Sequence, residues 1–337
     1  MDKLERKKIE RYSTIGWKPK GIGSVKKHQY RWVKNFTLSG DAPKEFVQVY
    51  HYEEKQSWRK SNPNGWPEYI AKTGHKWYPN ESITEFLMNR LGEVFGLDMA
   101  KSRLLSINGQ VRFLSRYFLR RGHDQLIHGA EIFAGYLEDA QFVEEIEEEG
   151  KARELFTMQF VEKAVGAIFP NERNYVMHEL IRLVLFDALV GNNDRHFYNW
   201  GVVLDLEGKN KMHFAPVYDT ARGLFWNDDD EKIRRRMASG GTASVDNYLK
   251  KYCSGSKPKL GWEGDSKVNH FNMVQHIVEN QFYIDKAELQ AMFADNVLRM
   301  MQEVLDKEFS DLMIPERRDL VKRCLQYRFN IIKQIIQ

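Results

Sequence analysis

Residues 190–201 read Val-Gly-Asn-Asn-Asp-Arg-His-Phe-Tyr-Asn-Trp-Gly. This stretch follows the long apolar run Tyr175–Val190, which has the periodicity of a buried helix, and it leads into Val202–Leu204, a predicted strand. A charged loop that is anchored by a buried helix holds its side chains rigidly. We therefore expect the carboxylate of Asp194 and the amide of Asn199, five positions later, to face one cleft.

A second carboxylate, Asp219, ends the stretch His-Phe-Ala-Pro-Val-Tyr-Asp at residues 213–219. Phosphoryl transfer uses an Asp that accepts the proton of an attacking hydroxyl, and an Asn and a further Asp that hold a metal ion against the nucleotide phosphates. The order Asp194, Asn199, Asp219 fits this chemistry, with all three as catalytic groups and Asn199 and Asp219 as metal ligands. For Asp219, a turn residue that caps a strand is the alternative.

Groups that could hold the phosphates precede these residues in the chain. Residues 38–44 read Leu-Ser-Gly-Asp-Ala-Pro-Lys, and their small residues would let main-chain N–H groups approach phosphates closely. Lys72 ends a predicted strand, from which its ammonium group can point at the α- and β-phosphates. Glu85, beside apolar residues on the next predicted helix, is expected to pair with Lys72. Glu81 is the alternative partner, although the helix dipole already explains a carboxylate in that first turn.

The remaining charged residues of the loop are Arg195 and His196. A hydrogen bond that fixes the shape of the loop is favoured for His196 over a general-base role. Arg195 can contact a phosphate or pair with an acidic neighbour, and the sequence leaves both open.

The chain divides into a sheet-rich first part and a mostly helical second part. One helix begins at Asn80 in the first part, and an Asn-Gly pair at residues 108–109 predicts a hairpin turn. After residue 130 the periodicity becomes helical. The predicted strands are Phe46–Tyr52, Glu68–Lys72, Leu104–Ile107 and Val111–Tyr117, and the later predicted helices are Phe142–Val165, Tyr175–Val190, Ile284–Asp306 and Pro315–Ile336.

These patterns predict the α+β class and a bilobal, protein-kinase-like fold, in which a sheet-rich N-lobe carries one key helix and the C-lobe is mainly helical. The length of 337 residues suits two lobes with a cleft between them. We place a basic N-terminal extension at residues 1–36 and a nucleotide-binding N-lobe at 37–128. A helical C-lobe with the catalytic loop and the metal site follows at 129–337.

Composition limits the class of protein. An apolar share of 42% with 29% charged residues is that of a folded domain, and no run approaches the roughly 20 apolar residues of a membrane span. The first residues lack the apolar core of a secretory signal, which predicts a cytoplasmic location. Cys253 and Cys324 are too few for a disulfide framework or a zinc site.

The first 34 residues carry an excess of positive charge, with eleven Lys and Arg against three Asp and Glu. Such a stretch can contact nucleic acid or an acidic partner surface. A solvated arm packed over the fold by Trp17 and Trp32 is favoured instead, because the stretch has no nucleic-acid-binding motif.

Together these motifs resemble the HipA-like serine/threonine kinases, the toxin components of bacterial toxin–antitoxin pairs. The catalytic pattern Gly-Asn-x-Asp-x-His-x-x-Asn of that family is matched at residues 191–199, and its metal-binding pattern Pro-x-Tyr-Asp at 216–219. Its phosphate-loop pattern Ser-Gly-x-x-Pro-Lys is matched at 39–44. Its strand ending in Lys resembles residues 69–72, and the start of its helix is similar to residues 84–87.

The resemblance implies ATP and Mg²⁺ as cofactors, a protein hydroxyl as acceptor, and an antitoxin-type partner protein. It places the adenine near a hinge at Ser115–Phe118. The family can be silenced by autophosphorylation of a phosphate-loop Ser, and the candidates here are Thr37, Ser39 and the segment Ser239–Ser244. The implied nucleotide-binding residues are Ser39, Gly40, Asp41, Ala42, Pro43, Lys44, Lys72, Glu85, Arg116, Tyr117, Phe118 and His196.

Two other functions fit part of the pattern. The sequence Asp194-Arg195-His196 followed by Asn199 also resembles phosphoinositide-type lipid kinases, and the basic extension would then face an anionic membrane surface. The second alternative is a catalytically silent module that binds nucleotide and a partner, although no catalytic position has been lost.

Overall fold

A six-stranded sheet lies in the first half of the protein in the computed structural model, which describes residues 19–33, 44–50, 62–74, 77–238, 241–265 and 267–337. Its strands are β1 (Gly23–Val25), β2 (Tyr30–Trp32), β3 (Lys44–Val49), β4 (Glu68–Lys72), β5 (Ser102–Ile107) and β6 (Gln110–Arg116). Their spatial order is β1-β5-β6-β4-β3-β2, and only the β1–β5 pair is parallel. The predicted phosphate loop would connect the adjacent strands β2 and β3.

The register of these strands gives the sheet two different faces. Lys72 on β4 is opposite Lys44 on β3 and Phe113 on β6, so the three side chains share one face. The other face carries a separate buried apolar cluster, made of Val25, Val47, Val49, Tyr69, Ala71, Leu105, Ile107 and Leu114. Glu85 and Asp219, described below as candidate site residues, contact Lys72 on this face.

Helix α1 (Asn80–Val94) connects the sheet to the helical half. Its buried side chains, Leu87 and Leu91 among them, belong to the same apolar core as the later helices. Gly96, at φ +88°, follows the end of the helix. At the exposed edge, Arg90 pairs with Glu308 of the helical half at 2.8 Å.

The second half contains eleven helices within the described ranges and a small antiparallel sheet in the order β7-β8-β9. The sheet strands are β7 (Asp124–His128), β8 (Gly201–Asp205) and β9 (His213–Phe214). The helices are α2 (Gly129–Leu137), α3 (Ala140–Glu148), α4 (Ala152–Leu155), α5 (Met158–Ile168), α6 (Arg173–Val190), α7 (Asp230–Ala238), α8 (Gly241–Ser254), α9 (His270–Glu279), α10 (Lys286–Met292), α11 (Asp295–Glu308) and α12 (Pro315–Ile336).

Two of the long helices predicted from the sequence are each divided into shorter helices in the structure. The stretch Phe142–Val165 is divided among α3, α4 and α5, because Gly150 has φ +70° and the Thr157 hydroxyl accepts the Phe160 N–H at 3.2 Å to begin α5. The stretch Ile284–Asp306 is divided between α10 and α11. Periodicity reports which face is buried and does not detect a chain break that preserves that face.

Other predicted elements agree with the structure. Strand β4 and helix α12 have the predicted bounds, and Asn108 and Gly109 both have positive φ, as a hairpin turn of this length requires. The basic stretch is not only an arm, because its residues 23–25 and 30–32 are strands of the main sheet. Among the described residues, no helix combines the length and the apolar character needed to cross a bilayer.

A buried ion pair fixes helix α12 against the segment that follows the metal-binding pattern. The guanidinium of Arg317 donates to Asp230 Oδ1 at 2.8 Å and to the main-chain oxygens of Phe225 and Asp228, and Arg317 is almost fully buried. Removing one partner of such a pair leaves a charge without compensation in the interior.

We expect Arg317→Ala to lower the free energy of unfolding by about 3–5 kcal/mol. The matched control is Arg323→Ala in the same helix, which removes an exposed pair with Asp319 and should cost less than about 1 kcal/mol. Chemical denaturation of both variants checks the difference. Equal losses would show that Arg317 does not hold this interface.

Candidate active site

Lys72 lies between two carboxylates on the inner face of the sheet. Its Nζ is 2.6 Å from Glu85 Oε1, on α1, and 2.9 Å from Asp219 Oδ1 in the helical half. Lys44, the first residue of β3, reaches the other oxygen of Asp219 at 3.5 Å. The predicted strand-Lys to helix-Glu pair is therefore formed. Glu81 instead accepts the N–H of Trp77 at the start of α1.

The opposite charges of Lys72 and Asp219 stabilise each other's ionised forms, whereas burial raises the pKa of Glu85. Burial alone would lower the pKa of Lys72, but Asp219 and Glu85 raise that pKa above its ordinary value. Burial alone would raise the pKa of Asp219, but Lys72 and Lys44 lower it below the usual range for an Asp. At neutral pH Asp219 is therefore an ionised oxygen donor. Its backbone has φ +54°, a left-handed conformation that Asp tolerates better than most residues.

The loop that carries Asp194 leaves helix α6 through a tight cap. Gly191 has φ +68°, and the main-chain oxygen of Asp187 accepts the N–H groups of Gly191 and Asn192. A Cβ at position 191 would lie 3.1 Å from the guanidinium carbon of Arg328 beneath it, so the site requires glycine for both conformation and space.

Arg195 joins the two predicted catalytic stretches. Its five N–H groups are all used: two bind the carboxylate of Asp187, at 2.9 and 3.2 Å, and one binds Thr220 Oγ1 at 2.7 Å. The other two bind the main-chain oxygens of Asn199, at 2.8 Å, and Tyr218, at 2.9 Å. The sequence left open whether Arg195 contacts a phosphate or an acidic neighbour. In the structure Arg195 is buried and pairs with an acidic neighbour, Asp187.

Asp194 and Asn199 are in direct contact. The Nδ2 group of Asn199 donates to the main-chain oxygen of Asp194 at 2.8 Å, which leaves the amide oxygen for a ligand. The carboxylate of Asp194 is paired with Arg222, at 3.1 and 3.2 Å. Burial raises the pKa of Asp194, Arg222 opposes this effect, and the charge of Asp219 adds to it, so the two carboxylates are close enough to interact.

Aromatic and imidazole groups hold the loop in place. Nδ1 of His196 accepts the Tyr198 N–H at 3.2 Å, a contact of the kind predicted for a shape-fixing residue. The hydroxyl of Tyr218 is 2.8 Å from Nδ1 of His128 and donates to the Tyr198 oxygen at 3.2 Å. These contacts therefore fix Tyr218, the residue directly before Asp219, to the loop that carries Asp194.

Asp187 was not recognised as a site residue from the sequence, and Tyr218 was recognised only as part of the Pro-x-Tyr-Asp pattern. Asp187 is the one charged residue in the run Leu-Val-Leu-Phe-Asp-Ala-Leu-Val at 183–190, and it is buried. A buried carboxylate requires donors, so its position in an apolar helix was a usable signal. Nothing in the sequence identified Arg195 as the donor.

Several predicted residues fall outside the described part of the chain. These are Thr37, Ser39, Gly40, Asp41, Ala42 and Pro43 of the phosphate loop, and residues 239–240 of the second candidate segment for autophosphorylation. Their roles stay predictions. Lys44, the last residue of the phosphate-loop pattern, is described and contacts Asp219.

Arg116, Tyr117 and Phe118 of the predicted hinge all line one cavity. Arg116 is opposite Tyr69, so its side chain points away from Lys72, and the cavity, of about 640 Å³, contains none of the catalytic groups. The Tyr117 N–H donates to the main-chain oxygen of Glu68 at 2.9 Å. The Phe118 ring lies 5.9 Å from that of Tyr218, on the Asp219 side. A direct adenine contact stays a prediction for these residues.

The model of the HipA-like C-terminal domain matches residues 36–304. The chain belongs to this HipA-like family. No curated protein matches it. Among solved structures it is similar to the proinflammatory kinase CtkA of Helicobacter pylori, with a TM-score of 0.69 and 14% identity over 91% of this chain and 94% of that one.

A second similar structure is HipA of Shewanella oneidensis MR-1, solved with HipB and operator DNA. The TM-score is 0.51 and the identity 14%, over 94% of this chain and 74% of that one. Both likenesses confirm the predicted fold class, an α+β, kinase-like architecture with a sheet-rich lobe and a helical lobe. The HipA-like family resemblance is confirmed by the domain match.

We expect Glu85→Gln to weaken Mg²⁺-dependent ATP binding about tenfold, because Lys72 would then pair with Asp219 alone and compete with a metal ion for that carboxylate. Glu81→Gln is the matched control on the same helix and should leave the affinity unchanged. Titration calorimetry with Mg-ATP measures both. A loss as large for the Glu81 variant would contradict the assigned pairing.

Proposed function

We propose that this protein is an ATP-dependent serine/threonine kinase, which transfers the γ-phosphoryl group of Mg-ATP to a protein hydroxyl. One observation carries the proposal: Arg195 fixes the Asp194–Asn199 loop to the Tyr218–Thr220 segment, so that Asp219 is presented both to Lys72 and to the loop. This arrangement brings together groups from four separate parts of the chain in the roles that phosphoryl transfer requires.

Asn199 and Asp219 have the chemistry of a magnesium site that is completed by a substrate. Mg²⁺ prefers oxygen donors and is usually bound through one or two carboxylates together with substrate phosphates. Asp219 is ionised, and the amide oxygen of Asn199 is oriented by the bond from Nδ2 to Asp194. Among the described residues there is no cluster of three or more His, Cys, Asp or Glu that could hold a metal without such a substrate. The bound ion would neutralise charge on the phosphates.

The sheet provides a surface for the rest of the nucleotide. Phe46 and Ser115 are opposite Ile70, two residues before Lys72, so these side chains share the Lys72 face. If the adenine ring of ATP packed against Phe46 and Ser115 on this face, the phosphates of the same nucleotide would lie near Lys72 and Lys44. Lys72 would bind the α- and β-phosphates and orient the γ-phosphoryl group toward Asp194.

In the transfer step, the acceptor oxygen forms a bond to the γ-phosphorus while the bond from that phosphorus to the β–γ bridging oxygen breaks. ADP leaves with the electron pair of the broken bond. Asp194 accepts the proton of the acceptor hydroxyl, which then passes to solvent. Because Asp194 and Asp219 are held in position before substrate binds, little reorganisation is needed during the reaction.

A partner protein is also part of the proposal. In its structure, HipA of Shewanella oneidensis is present with HipB and operator DNA. This supports an antitoxin-type partner for the present chain, which co-purification from cells that express the tagged protein would identify.

We expect Asp194→Ala and Asp219→Ala to lower phosphoryl transfer by a factor of about 10² or more while the fold stays intact. Asp219→Ala should also weaken Mg-ATP binding. The matched control is Asp246→Asn, an exposed carboxylate on α8, which should retain activity. The measurement is transfer of labelled phosphate to the chain itself, to cell-extract proteins and to lipid vesicles.

Each outcome of this experiment has a definite meaning. Near-normal transfer by the Asp194 variant would show that the role assignment is wrong. If lipid alone became labelled, the protein would be assigned as a lipid kinase instead of a protein kinase. Binding of ATP by the wild type without any transfer would indicate a nucleotide-binding module.

A further inference from the structure

The segment that packs against the Asp194 loop carries two outward lysines. Asn193, next to Asp194, accepts hydrogen bonds through its Oδ1 from the Ser256 hydroxyl at 2.8 Å and from the Lys257 N–H at 3.0 Å. Ser256 is therefore a fixed neighbour of the loop. The lysines of this segment, Lys257 and Lys259, are held beside the place where an acceptor hydroxyl would meet Asp194.

Burial alternates along this segment. Ser256, Pro258 and Leu260 are buried, whereas Lys257 is exposed and Lys259 is partly exposed. The lysines therefore lie on the solvent side of the segment. The far end of the segment is anchored by Gly261, whose main chain exchanges hydrogen bonds with residues 156 and 158. The lysines are thus presented by a chain that is fixed at both ends.

Arg222 adds a third positive charge at the same place. Its main-chain oxygen accepts the Asn193 N–H at 3.1 Å, its guanidinium pairs with Asp194, and its side chain is 44% exposed. The charge of Lys259 also acts on Asp194. Within the described ranges neither Lys257 nor Lys259 forms an ion pair. The charge of Arg222 is balanced by Asp194, so the rim around Asp194, defined as Lys257 and Lys259, contributes two positive charges that are not balanced by an ion pair within the described ranges.

We propose that this basic rim selects acidic protein segments as acceptors, with Asp or Glu residues flanking the phosphorylated hydroxyl. The inference rests on the proposed kinase function and names the substrate class of that site. Carboxylates of the acceptor would pair with the rim lysines, whereas a basic acceptor would be repelled before its hydroxyl reached Asp194.

The first test compares three synthetic peptides of equal length, each with one Ser flanked by Glu, by Gln or by Lys. With Mg-ATP and wild-type protein, kcat/KM should be about tenfold higher for the Glu peptide than for the Gln peptide, since two rim ion pairs in the upper range of surface strength approach that factor. The Lys peptide should be the poorest substrate, and added salt should reduce the differences.

The second test reverses the charge of the rim. Lys257→Glu/Lys259→Glu should remove the preference for the Glu peptide through a higher KM for that peptide. The matched control is Lys163→Glu/Lys250→Glu, which makes the same charge change at exposed positions of α5 and α8. The control should keep the wild-type order of peptides. Thermal melting confirms that both variants are folded.

A binding measurement makes the test independent of turnover. Fluorescence anisotropy compares a labelled Glu peptide that has Ala in place of Ser with a labelled oligouridylate of similar charge. Tighter binding of the peptide, lost in Lys257→Glu/Lys259→Glu, is expected. Tighter binding of the oligouridylate would assign the rim to nucleic acid and overturn the proposal.

The failure of this inference is distinguishable from that of the kinase proposal. Equal kcat/KM for the three peptides would contradict the proposed preference for acidic acceptors and leave the kinase proposal standing. Absence of transfer to every peptide and to the chain itself would remove the proposed function, and this inference with it.

Discussion

The buried guanidinium of Arg195 is the interaction on which the candidate active site depends. Its five donors connect the end of helix α6, the loop that carries Asp194 and the segment that carries Asp219. A charge in this position is tolerated because Asp187 compensates it and each N–H group has an acceptor. Two stretches that are about twenty residues apart in the chain are thereby held in one relative position by protein contacts.

A cluster of ion pairs also joins the two lobes. Lys44 and Lys72 from the sheet face Glu85 from α1 and Asp219 from the helical half, so the cluster has no net charge when all four groups are ionised. Each charge is stabilised by an opposite neighbour, which explains why the pKa of Lys72 is raised and that of Asp219 is lowered despite burial. Preorganised charges of this kind are the main source of electrostatic catalysis.

Local sequence signals were sufficient where one residue type has one physical use. The Asn-Gly hairpin turn, the strand ending at Lys72 and the helix beginning at Pro315 agree with the structure. The choice of Glu85 over Glu81 rested on proximity to the packed face, and the contact with Lys72 is present. Helix continuity failed at Gly150 and before α11, because neighbouring short helices can bury the same face as one long helix.

The sequence by itself determined which side chains are available for chemistry, their order along the chain, and the division into a sheet-rich and a helical half. Those properties depend on residue type, spacing and periodicity, which are local. Only the tertiary structure decided that Arg195 binds Asp187 and two main-chain oxygens, that Tyr218 is fixed to the catalytic loop, and that residues 23–32 contribute strands to the main sheet. The partner of a long cationic side chain or of an edge strand is set by which segments meet in space, and a linear pattern does not encode that meeting.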